Sequence, residues 1–188
     1  MAGFSRLRVA AIALSSVATI LGLALSGPAH ALNPDCVWRA VPPAIRQELQ
    51  AAGPDQPNAD AVRKLSDAEA EGMAKACGFP ADSKHFKEVG YVLEARALQI
   101  WATAQLGSRY GVSADALAGI WDALPADFSD KMVASAAAMR SGSPVQYPDG
   151  DPVFTVAAKL GVNDEDGVKV LMTYVAATAL LKSSPAQE

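Results

Sequence analysis

From Asn163 to Lys182 the chain reads Asn-Asp-Glu-Asp-Gly-Val-Lys-Val-Leu-Met-Thr-Tyr-Val-Ala-Ala-Thr-Ala-Leu-Leu-Lys, with no charged residue between Lys169 and Lys182. A surface helix carries one apolar stripe and a polar remainder. This segment is apolar or small on nearly every side, so it reads as a helix around which others pack. Asn163, with Asp166 three residues on, predicts its capped start.

The remaining segments supply partners for such a helix. Residues 83–106 place Phe86, Val89, Leu93, Ala97, Ile100 and Ala104 at three- and four-residue steps, the mark of an amphipathic helix. Gly107 is its expected stop. Pro42-Pro43 starts a short helix to about residue 52, and Gly53–Pro57 reads as a loop. Asn58 caps the next helix, which Ser66-x-x-Glu69, a capping box, either interrupts or kinks. That helix ends at Gly78-Phe79-Pro80. Ser113 opens a helix to Leu124 with Leu117, Ile120 and Trp121 on one side. In residues 127–141, Phe128, Met132, Val133, Ala136 and Met139 are expected inward. Residues 141–150 form the longest irregular stretch. Asp151-Pro152 opens a helix with Val153, Phe154, Ala157 and Leu160 as its face, closed by Gly161 with Val162 folding back. No stretch sustains strand alternation. The fold class is all-α: a compact orthogonal bundle of about six to eight short helices around an apolar C-terminal helix, with one disulfide.

The first 31 residues stand apart. Arg6 and Arg8 precede an apolar run from Val9 to Leu25, and Ala29-His30-Ala31 offers small residues at both positions of a cleavage site. This is the pattern of a signal peptide. The expected organisation is a cleaved signal peptide at 1–31, a single helical domain at 32–182, and a disordered tail at 183–188. Loss of the signal leaves 14 basic and 20 acidic residues, a net charge of −6. A nucleic-acid groove or an anionic membrane surface requires concentrated Lys and Arg, so neither is an expected partner. The expected location is the periplasm or the exterior. There, Cys36 and Cys77 pair most simply as a disulfide. Closing a loop of that length destabilises the unfolded chain by about 4 kcal/mol.

Reactive side chains are sparse. His85 is the one histidine left after cleavage and reads as a helix-start surface residue. Glu94, beside Leu93 and near Leu98 and Trp101, is the carboxylate considered as a general acid. Neither Asp149-Gly150-Asp151 nor residues 163–167 have calcium-loop spacing. No metal site and no cofactor are expected.

The run Arg109-Tyr110-Gly111-Val112-Ser113-Ala114-Asp115-Ala116-Leu117-Ala118-Gly119-Ile120-Trp121 resembles the segment leading into the catalytic glutamate of secreted lytic transglycosylases. Leu124 stands where that glutamate would match, and the glycine-rich turn after it is missing. No catalytic residue is therefore carried over.

Tryptophan often lines pockets or interfaces. Trp101, Arg109, Tyr110 and Trp121, grouped at a helix–helix corner, are the candidate partner or ligand surface. The chain reads as an exported helical binding or accessory protein of the bacterial cell envelope, acting through contacts with another envelope or secreted protein rather than catalysis. The alternatives are a cell-wall glycan-active, lytic transglycosylase-like enzyme using carboxylates and a periplasmic small-molecule carrier. They differ in what they require: an exposed apolar patch for a partner, two carboxyls facing one cleft for the enzyme, an enclosed apolar cavity for a carrier.

Overall fold

The computed structural model describes residues 33–51, 59–78 and 83–184, with the side chains of 59 and 83–85 excepted. The signal peptide, the Gly53–Pro57 loop, the Asn58 cap, Phe79, the His85 side chain and residues 185–188 lie outside the described part. Among the described residues there are ten helical segments and no strand. They are α1 (Pro34–Ala40), α2 (Pro43–Gln50), α3 (Ala59–Arg63), α4 (Asp67–Ala76), α5 (Ser83–Tyr110), α6 (Ala114–Ala118), α7 (Ile120–Ala123), α8 (Ala126–Ser141), α9 (Asp151–Lys159) and α10 (Glu165–Lys182).

Local chemistry accounts for the departures from expectation. Asn33 caps α1, a helix ahead of the expected first start at Pro42-Pro43: its side-chain oxygen accepts from the backbone N–H groups of Asp35 and Cys36 at 2.9 and 3.2 Å, and Pro34 fills the first turn. The capping box at Ser66 separates α3 from α4 rather than kinking one helix. Its two halves are Glu69 Oε2 accepting from Ser66 N–H at 2.8 Å and Ser66 Oγ accepting from Glu69 N–H at 3.3 Å. Gly119 divides the expected 114–124 helix into α6 and α7.

α5 passes through Gly107 and runs to Tyr110. A glycine inside a helix costs about 1 kcal/mol against alanine, less than the roughly 1.5–3 kcal/mol contributed by burying a side chain such as the neighbouring Leu106. The stop is Gly111, whose φ of +69° is open to glycine and strained for other residues.

α10 lies at the centre as its composition requires, packing most extensively on α5 and also on α8, α9 and α7. Tyr110 at the end of α5 meets the start of α10, and Gln99 meets Thr178 near its end, so the two helices are antiparallel. One main core gathers Val92, Leu93 and Leu106 of α5 with Leu171, Val175 and Leu180 of α10 and the apolar faces of α1, α4, α8 and α9. A smaller cluster, Leu49, Ala61 and Ala97, seats α2 and α3 on α5. The disulfide joins Cys36 in α1 to Cys77 at the end of α4. No helix among the described residues is long and apolar enough to cross a membrane. Ser183 and Ser184, expected in the tail, close α10 by donating hydroxyl hydrogen bonds to Leu180 O and Leu181 O at 3.0 and 3.1 Å.

The cap of α10 is Asp164, not Asn163. Asp164 Oδ1 accepts the Gly167 N–H at 2.7 Å, while Asn163 turns back to donate to the Gly161 carbonyl at 3.3 Å. The Tyr110 hydroxyl also donates to the Asp164 carboxylate, at 2.7 and 2.8 Å to its two oxygens. Its ring lies against the backbone of Gly167. A Cβ added there would fall 2.5 Å from Val162 Cγ1 and 2.6 Å from Tyr110 Cζ, so this position has room for glycine and for nothing larger.

Two outcomes follow from this corner. Gly167→Ala must push Tyr110 aside, an overpacking cost of about 1–3 kcal/mol, and thermal melting should show a lower Tm. The Gly167 N–H, then the Tyr110 hydroxyl, hold the Asp164 carboxyl below its ordinary value of 3.8. A depressed carboxyl contributes stability that is fully present above its unfolded pKa and lost as pH falls through the lower folded value. Denaturant melts below pH 4 should therefore show an acid-dependent loss that is smaller in Asp164→Asn than in the parent chain.

Candidate functional site

Three large apolar side chains are exposed among the described residues: Tyr147 (65%), Phe154 (55%) and Met139 (39%). Tyr147 and Met139 line one groove of about 420 Å³. Its walls are α8 (Met132, Ala136, Met139) and α10 (Met172, Thr173, Ala176, Leu180), with Leu98 of α5 behind and Tyr147 and Pro148 along one edge. Phe154 lies outside the lining but near its Met172 edge: a Cβ placed on Gly150 would lie 3.1 Å from Met172 Cε and 3.6 Å from Phe154 Cε2. The lining holds three methionines and no charged group.

The geometry follows from spacing. On α9, Val153, Val156 and Ala157 turn inward, so Phe154, one residue and about 100° from Val153, turns out. This corrects the expected inward face, which named Phe154 in place of Val156. Met139, also expected inward, is a second correction, and Ala104, placed on the apolar face of the long helix, is exposed as well. Met139 sits in the last turn of α8, past the point where Met132 and Ala136 enter the core. The strap 143–150 is tied to α8 by the buried Ser135 hydroxyl, which is within hydrogen-bonding range of the carbonyls of Gln146 and Lys131 (2.9 Å to the latter).

Arg140 fixes the distance between the two walls. From the last turn of α8 its guanidinium pairs with Glu88 of α5, donates to the Leu180 carbonyl at 2.5 Å and to Ser184 Oγ at 3.4 Å, and lies 5.2 Å from the Tyr91 ring centroid. Leu180 O is one of the carbonyls that a helix end leaves without an intrahelical partner, and a cation there is favourable. Burial pulls the Arg140 guanidinium below its ordinary pKa, with Glu88 opposing.

The residues singled out by sequence do not form one surface. Tyr110 sits at the start of α10, bonded to Asp164, with the exposed Arg109 guanidinium 5.4 Å from its ring. Trp121 lies at the other end, with Lys182 Nζ 5.5 Å from its ring. A helix of 18 residues is about 27 Å long, so the two aromatic sites are separate. Trp101 is half-buried against the core. Trp121 instead borders a polar cleft with Asp35, Arg96, Gln99, Tyr174 and Thr178. Burial raises the Tyr174 phenol there, and Arg96 partly offsets this.

Glu94 is exposed and lines neither the groove nor the cleft. Glu88 is engaged by Arg140. Leu124, at the position matching a transglycosylase glutamate, is buried in the core. No group of three metal-ligating side chains occurs among the described residues. The groove itself left one signal in the sequence, the methionines 132, 139 and 172 flanking a proline-bearing strap. It was invisible as a site because its parts lie on three segments.

No protein-family model, curated protein or solved structure matches this chain.

Removing one partner of a buried ion pair leaves a charge without compensation, at a cost of about 3–5 kcal/mol. Arg140→Met should destabilise the fold by that order in denaturant titration. It should also raise binding of an apolar dye as α8 and α10 separate.

Proposed function

We propose that this chain is an exported helical binding protein of the bacterial cell envelope, which holds an apolar segment of a partner protein in the α8–α10 groove. The observation that carries this reading is that the exposed Met139 and Tyr147 line one apolar groove with Met132 and Met172 and no charged group. Exposed apolar surface gathered in one place marks an interaction site, whereas scattered apolar residues do not. Methionine suits such a surface, being flexible and polarisable enough to follow an irregular partner. Aromatic residues and methionine are also enriched in interface cores. The signal-like first 31 residues and the Cys36–Cys77 bond support export, because disulfides persist in oxidising compartments. Binding is favoured over catalysis because the groove offers neither carboxylate nor nucleophile beyond the Thr173 and Tyr147 hydroxyls.

Photo-crosslinking in the host tests this. A crosslinking side chain in place of Tyr147 should give one discrete protein adduct, and the same group in place of the exposed Arg63 on α3 should not. Ala176→Glu, which puts a charge on the groove floor, should abolish the adduct without unfolding the chain. Equal adducts from both positions would overturn the reading. So would a co-purifying lipid with no protein adduct, which would make the chain a carrier.

A further inference from the structure

The cleft at Trp121 is independent of the apolar groove and differs from it in chemistry. Its floor is the face of α5 bearing Arg96, Gln99, Ile100 and Thr103, together with Tyr174 and Thr178 of α10. Spacings of three, four and seven residues on α5, and of four on α10, put each set on one side of its helix. One wall is α1, with Asp35 and Trp38, and the other is α6–α7, ending at Trp121 and Asp122. Two cavities of about 460 and 560 Å³ meet at Arg96, Gln99 and Tyr174, which line both. An elongated trough results, with an indole towards either end and a phenol between.

The polar groups of the floor are held in fixed directions. Arg96 pairs with Asp35 and donates from Nη1 to Gln99 Oε1 at 3.0 Å; Gln99 Nε2 donates to Thr178 Oγ1 at 2.9 Å; Thr178 Oγ1 donates to Tyr174 O at 2.9 Å. This relay crosses from α1 through α5 to α10. The Tyr174 hydroxyl has no hydrogen-bond partner among the described residues, although the residue is half-buried. The formal charges of the trough, Arg96 and Lys182 against Asp35 and Asp122, cancel.

We infer that this trough is a binding site for a neutral oligosaccharide. Each competing ligand class meets an obstacle in it. An apolar molecule would strip water from Arg96, Asp35 and Gln99 and return no hydrogen bonds. A phosphorylated or strongly anionic ligand needs an excess of cations, and here the carboxylates cancel them. A sugar has both surfaces the trough asks for. Its C–H faces rest on Trp and Tyr rings, whose bodies are apolar and whose edges are wet. Its hydroxyls, donors and acceptors at once, match the carboxylate, guanidinium and amide groups aimed by the relay and the unpaired Tyr174 phenol beside them. Side chains fixed before binding lose little entropy when the ligand arrives.

The experiment is titration of the purified chain with maltotriose, cellotriose and the N-acetylglucosamine trimer. Tryptophan fluorescence and backbone amide shifts report binding. At least one trisaccharide should bind saturably, with shifts centred on residues 96–103 and 174–182. The affinity should change little between roughly 50 and 500 mM salt, since no net charge is neutralised. Tyr174→Phe, which removes a single hydroxyl, and Trp121→Ala should each weaken binding about tenfold. Ala176→Glu in the apolar groove should leave it unchanged, so this inference and the partner-binding reading fail separately. Absence of saturation with all three sugars would overturn the inference. So would shifts located elsewhere, wild-type affinity in folded Tyr174→Phe, or a steep fall in affinity with salt.

Discussion

Everything else in the fold hangs on the antiparallel contact between α5 and α10. Two polar devices at opposite ends keep it in register. At one end Tyr110 reaches past the α5 terminus to the Asp164 carboxylate, with Gly167 small enough to receive its ring. At the other, Arg140 draws Glu88 of α5 and the Leu180 carbonyl of α10 to one guanidinium. Apolar contact between two helices has little preference for axial position. A short charged hydrogen bond at each end does, because sliding by one turn would break both and leave the Arg140 end buried without compensation.

α10 is the common wall of two surfaces of opposite chemistry. Met172 and Ala176 face the apolar groove, while Tyr174 and Thr178 face the polar cleft. Residues two apart on a helix point about 200° from each other, so one helix, uncharged between Lys169 and Lys182, is shared by both without either intruding on the other. The near-absence of polar side chains that first marks this segment as central thus has a second meaning. The few it keeps after Lys169, Thr173, Tyr174 and Thr178, are where it meets a cavity.

Local grammar was legible in the sequence, and relations between segments were not. The all-helical class, the central last helix, the Cys36–Cys77 bond, the Ser66–Glu69 box and the fold-back of Val162 after Gly161 follow from signals within a few residues, or from the export context. Where two neighbouring signals compete, tertiary contacts decide between them. Asp164 displaces Asn163 as cap because Tyr110 arrives from 54 positions away. Gly107 yields to Gly111 because the last turn of α5 carries that same tyrosine. The candidate aromatic patch grouped residues near in sequence that α6 and α7 carry apart, and the apolar groove joins a face of α8 to a face of α10, a pairing that no periodicity reports.

The two surfaces also differ in what holds them. The groove is made by two long helices, a strap tied to Ser135 and the buried Arg140. The cleft needs α1, a helix of 7 residues, too short to be stable alone in water. Its position depends on tertiary attachment, and Cys36, bonded to Cys77, sits between the two cleft residues Asp35 and Trp38. The Asp35–Arg96 pair is exposed on its acid side and adds little by itself. The disulfide therefore reinforces the packing of α1 on α4 and α5 that holds one wall of the cleft, and it joins no helix that lines the groove.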